Sequence, residues 1–188
     1  SSLGSGLGGF TKTGAGILTL NAAATFTGGT TVSAGTLAVG ANNATGNGGN
    51  LSVAGGATLA LGTNSISHAL VTTSGASPLI TGAGTVTASA GFFFNHTGDT
   101  TIDAVLAGTG GVLKAQTNVV TLTGASTYTG TTEVQAGTLS IDTCTPSHPV
   151  SLIIRSASAA DQMSPFPRTG MLSASFNRAI AAQSACPL

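Results

Sequence analysis

Charge is almost missing from this sequence. Five basic and five acidic side chains among 188 residues cancel, which leaves no electrostatic footprint for a phosphate backbone or an anionic lipid surface and excludes nucleic acid as an expected partner. Tryptophan is absent and aromatic residues make up only 4%. Disordered chains are usually rich in charge and poor in Val, Ile and Leu; here 41% of residues are apolar and 5% charged, so the chain reads as folded. No run of about 18 apolar residues occurs, so no helix is expected to span a bilayer. The chain opens at Ser1 on SSLGSGLGG with neither an initiator Met nor a basic segment ahead of an apolar one, as expected of an internal or processed stretch. Cysteine is confined to Cys144 and Cys186, so the long region before them needs no disulfide. A bond between those two would close the C-terminal stretch into a loop and add up to about 4 kcal/mol in an oxidising compartment.

What the sequence has instead is glycine, 28 residues of it, set between short β-branched and leucine runs. From Ser1 to about Asp142 the texture is uniform: ILTL at 17–20, TLAV at 36–39, ATLAL at 57–61, ALV at 69–71, PLI at 78–80, TVTA at 85–88 and VVTL at 119–122. Each run reads as a strand alternating inward and outward, ended by a turn whose positive φ glycine supplies. One stretch recurs. Gly28 to Val39, GGTTVSAGTLAV, returns as Gly130 to Ile141, GTTEVQAGTLSI, and the same offset of 102 lays Lys12 on Lys114, Leu20 on Leu122 and Phe26 on Tyr128.

Many short strands suit an antiparallel sandwich or a parallel solenoid. Self-similarity favours the solenoid, because each coil meets nearly the same neighbours. The expected fold is therefore all-β, a right-handed parallel β-helix over 1–142, with the offset holding about five coils of roughly 20 residues. Leu20, Leu37, Val39, Leu59, Leu61, Leu79, Val86, Leu122, Leu139 and Ile141 are the expected core, with Thr and Ser facing out. Phe92-Phe93-Phe94 cannot all point inward from one strand. The expectation there is a corner with two rings buried, the other reading being an exposed aromatic contact patch.

The remainder, 143–188, is a different text. It holds five of the six prolines, both cysteines and three of the five basic residues, and among the glycines only Gly170. Met171 to Ala185 places Leu172, Phe176 and Ile180 four apart, which predicts a short amphipathic helix; otherwise the tail is irregular. It is either a native cap over the open end of the coils or a stretch foreign to the body, such as a reading-frame artefact.

The string Gly9 to Leu20, GFTKTGAGILTL, followed by Thr25 to Val32 and Gly35-Thr36-Leu37, resembles the autotransporter-associated β-strand repeat of type V secreted passenger domains. The copy at 110–141 is similar in its second half and departs where Ala115-Gln116-Thr117-Asn118 replaces TGAG. That loses two corner glycines and predicts a bulged or irregular coil. Carried onto this sequence, the motif residues are Gly28, Thr30, Val32, Gly35, Thr36 and Leu37, and Gly130, Thr132, Val134, Gly137, Thr138 and Leu139. The resemblance implies a non-enzymatic stalk of an exported passenger, displayed on or shed from the outer membrane of a Gram-negative cell. It also implies help with secretion, adhesion, and an outer-membrane translocator barrel as partner, beyond this chain, with host or surface ligands as further possible partners.

Two other classes use solenoids of this kind. Polysaccharide-degrading β-helices cluster carboxylates, and the acids here are Asp99, Asp103, Glu133, Asp142 and Asp161. Asp99 and Asp103 on one strand would share a face about 13 Å apart, too far for paired acid–base work unless a turn intervenes. A cleft gathering them with Lys114 would signal an enzyme. His68, His96 and His148 have no ligand-like spacing, and Gly46 to Asn50 lacks the aspartates of a calcium repeat, so no metal or cofactor is expected. Asn95 to Asp99 reads as a turn with local backbone hydrogen bonds. An ice- or glycan-binding solenoid would use Thr-x-Thr pairs, present at Thr11/Thr13, Thr25/Thr27, Thr85/Thr87, Thr121/Thr123 and Thr127/Thr129, but it needs them at one position on every coil.

Overall fold

The computed structural model describes residues 3–141 and, beyond them, two strands, Leu152–Ile154 and Ala182–Gln183. The chain is a parallel β-solenoid of about seven turns with three faces. The first face stacks Phe10–Lys12, Thr30–Val32, Leu51–Val53, the second halves of Ile66–Gly75 and Thr85–His96, Gly111–Lys114, Thr132–Val134 and Leu152–Ile154. The second stacks Ile17–Leu20, Thr36–Val39, Thr58–Ala60, Leu79–Thr81, Thr100–Ile102, Val119–Leu122, Thr138–Ile141 and Ala182–Gln183. A third face is made by Leu3–Gly6 on Ala24–Phe26, the first halves of the two long strands, and Val105–Ala107.

On the first face the steps from Thr30 to Leu51, Val71, Phe92, Val112 and Thr132 are 21, 20, 21, 20 and 20 residues, which makes 102. The sequence repeat is therefore five coils, and Thr30 and Thr132 stand in one column. The second face carries a slip. The column from Leu37 runs through Leu59, Ile80, Ile102 and Leu122 to Ile141, while Leu139 stacks on Val120. A two-residue slip keeps the same side chains inward because the strand period is two.

Between the faces lies a dry core. Leu37, Leu59, Val71, Leu122, Val53 and Leu139 are fully buried, each contributing about 1.5–3 kcal/mol relative to exposure. Of the ten expected core residues, Ile141 is half-buried against that cluster and Leu79 is not inside at all, at 38% exposure. In PLI both apolar residues fit the pattern, but Leu79 pairs with outward Thr58, whereas Ile80 pairs with Leu59 and is 1% exposed. Leu79→Ser should therefore shift stability by less than about 0.5 kcal/mol in thermal unfolding, and Ile80→Ala should cost about 2–5 kcal/mol.

Phe92 to Phe94 is not a corner. It lies inside the 12-residue strand Thr85–His96, whose alternation buries Phe92 and Phe94 and leaves Phe93 half-exposed. Two rings do bury, as expected, and Phe92 sits 6.3 Å from the Tyr128 ring. The coil after Lys114 is not bulged either: its strands pair at 112–114 with 132–134 and at 119–122 with 138–141 without a register shift. The helix expected over 171–185 is a strand at Ala182–Gln183, paired with Ser140 and Ile141. The remainder of that segment, and Cys144 and Cys186, lie outside the described residues.

Candidate functional site

The repeat residues build two equivalent corners. Thr30 and Thr132 are buried; the Thr30 hydroxyl donates to the Thr45 carbonyl at 2.7 Å, and Thr132 shares a 2.8 Å hydrogen bond with the Tyr128 hydroxyl. Val32, Val134, Leu37 and Leu139 fill the core. The Thr36 N–H donates to the Gly16 carbonyl and the Thr138 N–H to the Asn118 carbonyl, the same bond 102 residues apart. Gly35 and Gly137 hold φ of 66° and 73°, and a side-chain carbon at Gly35 would lie 2.5 Å from the Gly14 carbonyl oxygen. Gly28 and Gly130 are pressed against the backbone of the preceding coil, at Gly8 and Gly111.

Lysine completes each corner from inside. Lys12 Nζ donates to the carbonyls of Thr13, Gly14 and Ala34 at 3.0, 2.7 and 3.1 Å. Lys114 Nζ donates to the Gln116 and Ala136 carbonyls and to Asn118 Oδ1. Lys12 takes two carbonyls from its own coil and one from the next, and Lys114 takes one from each, so the ammonium ties two coils at the corner. Where the second copy lacks TGAG, side-chain amides replace the glycines: Gln116 donates to Asn95 Oδ1 and Asn118 to the Gly98 carbonyl, both at 2.7 Å. That explains why the coil stays in register. Burial pushes the Lys114 ammonium down to about 8, with the Asp99 charge opposing.

The acids are engaged one by one. Asp99 Oδ1 accepts the Val119 N–H at 2.8 Å, and Asp103 Oδ1 accepts the Thr123 hydroxyl at 3.0 Å. The expected local turn bond at Asp99 is thus a bond to the next coil. Lys114 is fully buried on carbonyls, so no cleft gathers it with both aspartates. Asp142, Asp161 and His148 lie outside the described residues. Among the described residues no three of His, Cys, Asp and Glu come together. The Thr-x-Thr pairs do not hold one position on every coil: Thr11 lies on the first face, Thr121 on the second, and Thr25/Thr27, Thr85/Thr87 and Thr127/Thr129 on the third. A shallow depression of about 340 Å³ lies over Gly91 and Gly111, edged by Leu70, Phe93, Leu113 and Glu133.

Sequence reasoning missed the buried polar groups. His68 Nδ1 donates to the Gly49 carbonyl at 3.0 Å, which makes Nε2 the acceptor of the Thr45 hydroxyl at 2.9 Å. Burial holds the His68 pKa below its ordinary value, and the Gly49 bond opposes this. His96 Nδ1 bonds Thr73 Oγ1 at 2.7 Å while its ring lies edge-on to Phe94 at 6.3 Å. Tyr128 is raised by burial, partly offset by its bond to Thr132. The available signal was Lys12 recurring as Lys114 in a body whose other charges are all acidic.

Two windows of the chain, 10–39 and 112–141, match the passenger-associated transport repeat. They are the two halves of the 102-residue offset, and the chain carries both copies. A curated relative, the Adhesin BmaC autotransporter of Brucella suis biovar 1 (strain 1330), is 51% identical over 45 residues, 24% of this chain. That match spans 1% of the relative's length. No solved structure matches the chain. The repeat and the autotransporter relative together imply display at the cell surface or secretion.

Proposed function

We propose, from two passenger-associated transport repeats standing five coils apart in one solenoid, that the chain is a non-enzymatic stalk of an exported autotransporter passenger. Its coil-by-coil folding outside the cell helps draw the passenger through an outer-membrane translocator that lies outside this chain. The body, 1–142, forms the stalk, and beyond it the strands Leu152–Ile154 and Ala182–Gln183 continue its two faces. One observation carries the reading: each coil of the register pairs only with its immediate neighbours, so a coil can add to the stack as it emerges with no distant partner to wait for. The buried lysines and separately engaged aspartates support the absence of catalysis. An adhesive role rests on the name of the relative, and the stalk serves it by holding adhesive parts of the passenger away from the cell.

The test fuses the chain to a translocator barrel and measures the amount reached by protease added to intact cells. Gly137→Val, which breaks a coil, should lower display severalfold relative to the native chain at equal expression. Equal display of the two would refute the secretion role.

A further inference from the structure

The geometry points to an acid-sensitive latch at the corner formed by His96 and Lys114, which opens the coils of Thr85–His96 and Gly111–Lys114 when His96 takes up a proton. His96 is completely buried at the end of its strand, and its Nε2 has no hydrogen-bond partner. On its own strand it meets the edge of Phe94; the preceding coil pairs Thr73 Oγ1 with Nδ1; the following coil brings Lys114, the charged group acting on it. Asp99 acts on Lys114 in turn. A neutral imidazole can live here with one nitrogen unsatisfied. An imidazolium cannot, because its Nε2 must carry an N–H with no acceptor and it sets a second positive charge beside a buried ammonium.

The sign follows directly. Burial, and then the Lys114 charge, hold His96 down to about 4 against an ordinary 6.5. Between those values the opened corner binds a proton that the closed corner refuses, so opening grows as pH falls from about 6.5 and levels off below about 4. His68 is the internal contrast. It is equally enclosed, yet both its ring nitrogens are bonded.

Hydrogen exchange, corrected for intrinsic rates, tests this on the full chain at pH 7.5 and 5.0. The Thr97 N–H, bonded to the Gly75 carbonyl, and the Ala115 N–H, bonded to the Phe94 carbonyl, report the corner; the Ala54 N–H, bonded to the Val32 carbonyl, reports a coil away from it. At pH 5.0 protection of Thr97 and Ala115 should fall roughly 25-fold while Ala54 holds, and His96→Gln should remove the difference. Equal loss at all three amides, or a loss that persists in His96→Gln, would overturn the latch. Should His96→Gln fail to fold, an NMR titration of the native imidazole decides: a midpoint below about 5 supports it, and one at 6.5 or above refutes it.

Discussion

Gly137→Val is expected to destabilise the chain by more than about 4 kcal/mol. Gly137 holds a φ of 73°, where a β-branched residue pays strain of about 1–3 kcal/mol. The second cost is steric. Any side-chain carbon there would collide with the Asn118 carbonyl oxygen and sit 2.6 Å from that of Gln116, which are backbone atoms fixed by the stacking of two coils. Neither can retreat without breaking the Thr138 N–H bond to Asn118, so the combined loss should exceed about 4 kcal/mol. Gly56 separates the two effects. It has a φ of 74° with open space where a side chain would go, so Gly56→Asn should cost less than about 1 kcal/mol. Chemical unfolding followed by circular dichroism reads both. Similar losses at the two positions would mean that close coil packing does not explain the repeat glycine.

Removing the corner ammonium should be the next most damaging change. Lys114→Met keeps the length of the side chain and strips the donor from two backbone carbonyls and Asn118 Oδ1 in a site without water access. Buried acceptors left unpaired cost about 1–3 kcal/mol each before relaxation, and the relief of burying no charge offsets part of this, so a net loss of about 3 kcal/mol is expected at pH 7. A pH signature accompanies it. The Lys114 pKa is depressed from 10.5 to about 8, so between those values the unfolded chain holds more protons and native stability should rise with pH. That rise should vanish in Lys114→Met. A variant more stable than the native chain at pH 7 would show that the corner is held by packing alone.

Architecture was legible because it repeats. An offset of 102 survives in the sequence since the five coil steps between Thr30 and Thr132 place both threonines against the same kind of neighbour. Alternation within a strand located Leu37, Leu59 and Leu122 inside for the same reason. Leu79 was misplaced because adjacent apolar residues leave the phase of a short strand undetermined; only the stacking of Ile80 between Leu59 and Ile102 fixes it. The two-residue slip on the second face was hidden for a related cause, as it exchanges one leucine column for another without changing which side is buried. The burial of lysine and histidine inside the solenoid was not read, although Lys12 recurs as Lys114. Their burial depends in part on partners about one coil away, such as Ala136 for Lys114 and Thr73 for His96, which a residue's own neighbours in sequence do not reveal.

The central claim, that two copies of the repeat stand five coils apart in one parallel stack, is tested most directly by distances along one outward column. Thr31, Ser52, Thr72, Phe93, Leu113 and Glu133 succeed one another in register on the first face. Spin labels on cysteines at 31 and 133, with Cys144 and Cys186 changed to serine, should lie about 24 Å apart, and labels at 72 and 133 about 14 Å apart, since each coil advances about 4.8 Å. Distances that grow in this proportion with the number of coils are the predicted result. A separation that does not scale with coil number would contradict the solenoid and, with it, the placing of the two repeats.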